Sequence, residues 1–187
     1  MLNHLRASLV LVASFTVLTG LAYPLAITGI GQTLWPRQAN GSAIERDGHV
    51  VGSASIAQGF TRPEYFWPRP SAAGDKGFDA RASSGSNFGP TSKALADRIA
   101  TDAARYGAPA GQIPADLLTA SASGLDPDIS PAAARFQVAR VAKARGVPEA
   151  EVSALVARSI VPPFLGLIGE ARVNVLMLNL ALDARGK

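Results

Sequence analysis

Residues 7–30 read ASLVLVASFTVLTGLAYPLAITGI, and no charge appears until Arg37. A bilayer core of about 30 Å takes about 20 helical residues at about 1.5 Å each. These 24 residues are therefore long enough to span, with room for tilt. Pro24 removes a backbone donor and is expected to bend the helix near its end. Tyr23 and Trp35 are placed to sit at headgroup depth. The competing reading is a cleaved signal peptide, with Arg6 in its basic region and Gly20-Leu21-Ala22 as the cleavage site. Apolar character continues well past Ala22, which favours a retained anchor.

The expected organisation follows from that segment. It is a short N-terminus over 1–6, a membrane helix over 7–31, a linker over 32–42 and a soluble domain over 43–187. Charge barely orients the span. Arg6 flanks one side, Arg37 and Arg46 the other, and acidic residues count little in the positive-inside rule. A short N-terminal stub followed by a domain is compatible with N-terminus in, C-terminus out.

The chain has no cysteine, which excludes disulfides, thiolate metal sites and a lipid-bearing cysteine anchor. Its net charge of +4 arises entirely after residue 128, where eight basic residues face four acidic ones. Nucleic-acid binding would need a clustered basic face with stacking aromatics. Arg135, Arg140, Lys143 and Arg145 instead fan out around a helix, with Phe136 alone among them. They read as a solvated surface, with a partner-protein contact as the functional alternative.

The soluble part opens with a hairpin. Ile44-Glu45-Arg46 and His49-Val50-Val51 flank Asp47-Gly48, a dipeptide suited to a type I′ turn, and the second strand is expected to run on to Gln58. Residues 61–90 are rich in Pro, Gly and Ser. They also hold Tyr65, Phe66, Trp67, Phe78 and Phe88, five of the chain's twelve aromatics. Disordered segments are poor in aromatics, so a pinned, ordered loop is expected.

Helical signals then take over. Pro90-Thr91-Ser92 precedes a run to Tyr106, stopped by Gly107, with Leu95, Ile99, Ala103 and Tyr106 on one face and Arg98–Asp102 as an i,i+4 pair. Residues 114–120 suggest a short helix, and 121–128 a turn-rich link. Ser130 caps a helix with Pro131 at its first position, running to Gly146. Another starts at Pro148, with Glu149 and Glu151 in its first turn, and ends before Pro162. After a turn over 166–169, a last helix is expected over 170–183. It is apolar on nearly all sides yet too short to span, and so buried. The fold class is α+β: one N-terminal transmembrane helix plus a mostly helical soluble domain with a small antiparallel sheet.

Reactive constellations are scarce. His4 lies at the membrane edge and His49 just after the hairpin turn, so neither supports a triad or a metal site. No phosphate-binding glycine motif is present, nor the aspartyl-phosphate motif of P-type pumps. Asp126-Pro127-Asp128 offers two adjacent carboxylates, either a cation site or a turn leading into a helix. Ser83-Ser84-Gly85-Ser86-Asn87 has the composition of an anion or nucleophile loop but lacks a base, which favours a structured turn. Glu64 and Asp79 read as lone surface carboxylates.

Three stretches resemble the C subunit of Kdp potassium-transporting ATPases. The first is Tyr65-Phe66, then Arg69-Pro70-Ser71-Ala72, then Ala82-Ser83-Ser84-Gly85-Ser86-Asn87-Phe88-Gly89-Pro90. The second, the longest, runs from Ile113-Pro114-Ala115-Asp116-Leu117-Leu118 through Ser123-Gly124-Leu125-Asp126-Pro127-Asp128-Ile129-Ser130-Pro131 to Gln137, Arg140 and Gly146. The third is Leu167-Ile168-Gly169-Glu170-Ala171-Arg172-Val173-Asn174-Val175-Leu176, then Leu178-Asn179-Leu180-Ala181-Leu182-Asp183. With the N-terminal helix the resemblance covers nearly the whole chain. This sequence departs from the family where Asp128 replaces a frequent His, where Ala171 replaces a frequent Pro, and over 159–164.

The resemblance implies a non-catalytic accessory subunit of a high-affinity, ATP-driven potassium uptake complex. Its partners would be a channel-like potassium-translocating subunit, a P-type ATP-hydrolysing subunit, a small single-helix subunit and membrane lipid. The location implied is the bacterial inner membrane, with the domain extracytoplasmic. ATP and K+ would be handled by the complex, with no cofactor held stably here. Two roles are implied. One is a catalytic chaperone that raises the ATP affinity of the P-type subunit, with Gln137 as the nucleotide contact. The other acts at the outer mouth of the channel-like subunit, with Asp126 and Asp128 as ion-entry candidates. A domain outside the membrane cannot reach cytoplasmic ATP, so the two conflict. The competing classes are a membrane-tethered enzyme or binding module unrelated to transport, and a free periplasmic binding protein cleaved after Ala22.

Overall fold

The computed structural model describes residues 2–185. The chain divides into two compact units, with the division between Val51 and Gly52.

The first unit is dominated by a continuous helix over Leu2–Leu34. It consists of α1 (Leu2–Val17), a π-helical turn over Leu18–Ala22 and α2 (Tyr23–Leu34). All its large apolar side chains are exposed, as expected of a surface meant for lipid. A π-helical turn precedes Pro24. Proline supplies no N–H and its ring crowds the carbonyl four residues earlier, that of Gly20. Widening the preceding turn, with Tyr23 N–H reaching back to the Leu18 carbonyl, accommodates that crowding. A single turn, α3 (Pro36–Ala39), follows. Strands β1 (Ala43–Arg46) and β2 (His49–Ser53) then pair. Asp47 and Gly48 hold φ of 54° and 77°, the left-handed pair that a type I′ turn requires.

The second strand does not continue to Gln58 as expected. It stops at Ser53, which bridges back to Ile56. A Cβ on Gly52 would run into the Gln58 side chain and Leu176, so the chain turns where glycine permits the approach.

In the second unit, α4 (Lys93–Tyr106), α5 (Pro131–Arg145), α6 (Glu149–Ser159) and α7 (Val175–Asp183) enclose one apolar core. The expected boundaries of the first three hold because their caps are local. Gly107 and Gly146 end α4 and α5 at φ of 64° and 68°. Ser130 Oγ accepts from Ala133 N–H at 3.0 Å. The expected helix over 114–120 is one 3-10 turn, Ala115–Leu117. The last helix is shorter than expected. Residues 170–174 are not helical: Val173–Asn174 forms β4, antiparallel to β3 (Asp128–Ile129). Asn174 then caps α7 by accepting from Met177 N–H at 3.1 Å. As expected, α7 is buried, through Val175, Leu176, Leu178, Asn179 and Leu182.

The aromatic-rich loop is pinned as anticipated. Phe66 and Trp67 are buried, whereas Phe88 remains partly exposed.

Candidate functional site

Two arrangements of polar groups stand out in the second unit. The first grips the backbone of Phe66 and Trp67 from two helices at once. Gln137 of α5 accepts Trp67 N–H at 2.8 Å and donates to the Trp67 carbonyl at 3.1 Å. Asn179 of α7 does the same for Phe66, at 2.8 and 3.0 Å. Each amide thus imitates the neighbouring strand that the loop lacks. Gln137 is 1% exposed and Asn179 2%. Buried backbone groups must find partners, and here two side chains supply them.

Arginines surround this clamp. Arg140 donates to the carbonyls of Pro63 and Tyr65 at 2.6 and 3.0 Å and to Gln137 Oε1 at 2.6 Å. Its guanidinium lies 3.8 Å from the Trp67 ring centroid. Arg145 donates to the Glu64 carbonyl at 2.7 Å and to Asp183 at 2.8 Å. The expectation of a solvated basic surface therefore holds for the exposed Arg135 and Lys143 and fails for Arg140 and Arg145. A guanidinium has five fixed donors that match a cluster of carbonyls. The 62–67 loop presents such a cluster.

The second arrangement is an acidic cleft of about 250 Å³, whose lining includes Asp116, Asp126, Asp128, Glu170, Arg69 and Arg172. The β3–β4 pairing brings Asp126 and Asp128 to the same place as Glu170 and Arg172. Arg69 Nη1 lies 3.0 Å from Asp126, and Arg172 Nε 3.1 Å from Asp128. Asp126 also accepts Asp128 N–H at 3.0 Å, closing a local turn. Asp116 accepts from Ser130 N–H at 2.7 Å and Oγ at 3.2 Å. Burial raises the Asp128 pKa above the usual carboxylate value, opposed by Arg172 and assisted by Asp126.

The cleft holds four carboxylates against two guanidiniums, so its field favours cations. Among the described residues no group of three or more His, Cys, Asp or Glu side chains converges as a metal site would need.

Gln137 lies at the clamp, and its amide is committed on both ends. A nucleotide would reach it only after that pairing opened. The serine loop packs against residues 121–124: Ser84 N–H and Ser83 Oγ both donate to the Ser123 carbonyl at 3.0 Å. A Cβ on Gly124 would lie 2.6 Å from the Ser84 carbonyl, so glycine is required there. Glu64 and Asp79 are not lone, pairing with Arg62 at 3.1 Å and Arg81 at 3.2 Å. His4 and His49 are exposed on α1 and β2.

A family model described as K+-transporting ATPase, c chain, KdpC, matches residues 5–184. The chain belongs to the KdpC family. A Caulobacter vibrioides protein called potassium-transporting ATPase KdpC subunit is 62% identical over 188 residues, covering 99% of this chain and 95% of that protein. Relatives of the same name from Gemmatimonas aurantiaca and Rhodospirillum rubrum are 60% and 58% identical, covering 98% and 99% of this chain and 94% and 97% of theirs.

In this member of the KdpC family, sequence reasoning missed that Trp67 and Asn179 take part in the clamp and that Arg69 and Arg172 pair with Asp126 and Asp128. Arg69 and Arg172 had a usable signal, since each lies in a stretch that carries the resemblance. Asn179 also had one, as a polar residue in an otherwise apolar helix. Trp67 had only the aromatic content of its loop, because its backbone rather than its side chain is what Gln137 holds.

Proposed function

We propose that this chain is a non-catalytic accessory subunit of an ATP-driven potassium uptake complex. It is held in the bacterial inner membrane by its N-terminal helix, with its domain outside the cytoplasm. There it stabilises the assembly of the channel-like, P-type and small single-helix subunits, and its acidic cleft faces potassium at the outer mouth of the channel-like subunit. ATP hydrolysis belongs to the P-type subunit.

The observation that carries this reading is how the polar groups are committed. Gln137, Asn179, Arg140 and Arg145 hold one loop to two helices, which suits a rigid docking body. The cleft keeps a surplus of carboxylates without a chelating cage, which suits attraction of a passing cation rather than its retention.

Reporter fusions after Trp35 and Lys187, assayed on both sides of the membrane, test the topology. Activity outside the cytoplasm is the expected result. Activity inside would overturn this reading and revive the nucleotide-chaperone role, with Gln137 the next residue to change. The ion-entry part has its own test. Asp126→Asn with Asp128→Asn should weaken the apparent potassium affinity of the assembled transporter, and an unchanged affinity would count heavily against it.

A further inference from the structure

Between α6 and β4 the chain forms a second hairpin, bridged at Val161–Arg172 and Phe164–Ile168, with an unusual surface. Residues 159–169 read SIVPPFLGLIG, with no charged side chain. Phe164 is 67% exposed, Leu165 78%, Leu167 88% and Ile168 65%. Soluble surfaces expose single apolar residues routinely, but a contiguous cluster marks a contact.

The backbone says what kind of contact. Phe164 and Ile168 exchange N–H to carbonyl bonds at 2.9 and 3.0 Å. Gly166 N–H donates to Pro163 at 3.0 Å, Leu167 N–H to Phe164 at 3.1 Å and Val161 N–H to Arg172 at 2.8 Å. Pro162 and Pro163 have no N–H to satisfy. Five of the seven N–H groups over 161–169 are thus paired within the hairpin, those of Leu165 and Gly169 excepted, while the apolar side chains turn outward. A loop built to bind protein by strand addition would leave its edge groups free. The anchors typical of protein interfaces are Trp, Tyr and Arg, with Leu under-represented, and this tip has Phe, Leu and Ile. A mostly self-paired backbone with outward apolar side chains suits the boundary layer of a bilayer, where the few open backbone groups still meet water and headgroups.

The same chain also carries the helix of membrane-spanning length. From Leu34 to the second unit the connection is 17 residues, part of them folded as α3 and the β1–β2 hairpin. A tether of that length holds the domain at high effective concentration near a bilayer.

We propose that the 161–169 hairpin tip seats in the interfacial layer of the bilayer, giving the domain a second, monotopic membrane contact. This inference rests on the reading of the N-terminal helix as a membrane tether.

The chain has no cysteine, so Leu167→Cys introduces the sole thiol at the most exposed position of the tip. The full chain, labelled there with the fluorophore NBD, is reconstituted in phosphatidylcholine–phosphatidylglycerol vesicles, with and without lipid bearing a shallow acyl-chain nitroxide. Gln112→Cys, on an exposed turn of the same unit, is the control. Expected are co-flotation with vesicles, a blue-shifted emission at Leu167 and its loss to nitroxide lipid, with neither optical change at Gln112.

A Leu167 probe that floats with the vesicles yet emits as in water, quenched by aqueous iodide, overturns the tip contact and leaves the tether standing. Shielding from iodide without quenching by lipid, in the chain alone or in the assembled transporter, also overturns it, because a second copy or another subunit then covers the tip. A chain that fails to float overturns both tether and tip.

Discussion

Gln137 and Asn179 show how much one side chain can decide when its partner is backbone. Replacing Gln137 by Ala orphans the N–H and carbonyl of Trp67 inside the core. Each orphaned buried group costs about 1–3 kcal/mol, so Gln137→Ala should destabilise the domain by about 3 kcal/mol, and Asn179→Ala by a similar amount. The two effects should not add. Phe66 and Trp67 are adjacent, so losing either clamp frees much of what the other holds, and groups that share partners couple by about 0.5–3 kcal/mol. The double variant should therefore fall short of the sum. Thermal unfolding in detergent, followed through Trp67 in a Trp35→Phe background, gives all three numbers. Full additivity would mean that the loop is held elsewhere.

Asp128 makes a prediction of opposite character. Its pKa is raised in the folded domain, above its ordinary 3.8, chiefly by burial. The folded state therefore binds its proton more tightly than the unfolded chain does. Its contribution to stability is fully present below pH 3.8 and is lost as pH rises through the raised pKa. Asp102 is shifted the same way by burial, against Arg98 and Arg105. Asp128→Asn removes one such group. Relative to the unaltered chain, its stability should hold up better as pH rises from 3.8 toward neutrality. Urea midpoints across that range check the sign, and a variant that instead loses ground with rising pH would show that the Arg172 pair outweighs burial.

At the scale of elements, legibility followed locality. The ends of α4, α5 and α6 were readable because Gly107, Ser130, Pro131, Gly146 and the early Glu149 and Glu151 act within one turn of where they stand. The start of α7 was not. Residues 173–183 are apolar almost throughout, so nothing local separates a two-residue strand from a first helical turn. What decides is the pairing of Val173 and Asn174 with Ile129 and Asp128, more than forty residues earlier. The inward turn of Arg140 and Arg145 was hidden for the same reason, since their partners lie in residues 63–65 and at Asp183. The acidic cleft was half readable: the Asp126–Asp128 pair stands in the sequence and the two arginines lie in the resembling stretches, but which carboxylate each arginine meets is decided only by the fold. Asn174 joins these levels. It caps α7 and also donates to the Ala54 carbonyl at 2.9 Å. Losing an N-cap costs about 0.5–2 kcal/mol. Asn174→Ala should sit at the upper end of that range, whereas Asn174→Ser, which can cap but not reach Ala54, should recover part of it. Equal losses in the two variants would assign the whole effect to Ala54.

At the scale of the molecule, the choice between tether and cleaved leader governs every proposal about where the domain works. The small residues that would specify a cut, Gly20 and Ala22, lie within the π turn of an unbroken helix over Leu2–Leu34. Cleavage after Ala22 would leave α2 with twelve residues, about 18 Å of helix, against a hydrocarbon core of about 30 Å. That remnant could not span, and its exposed Leu25, Ile27, Ile30 and Leu34 would be left in water. Uncut, the helix is long enough to cross, and the Pro24 crowding is absorbed by the π turn without a break. The mature chain should therefore keep residues 2–22 and stay with the membrane fraction after an alkaline wash. Intact mass of the purified chain decides the matter. A mass beginning at Tyr23 would release the domain from the membrane, and with it both the tether and the lipid contact of the 161–169 tip.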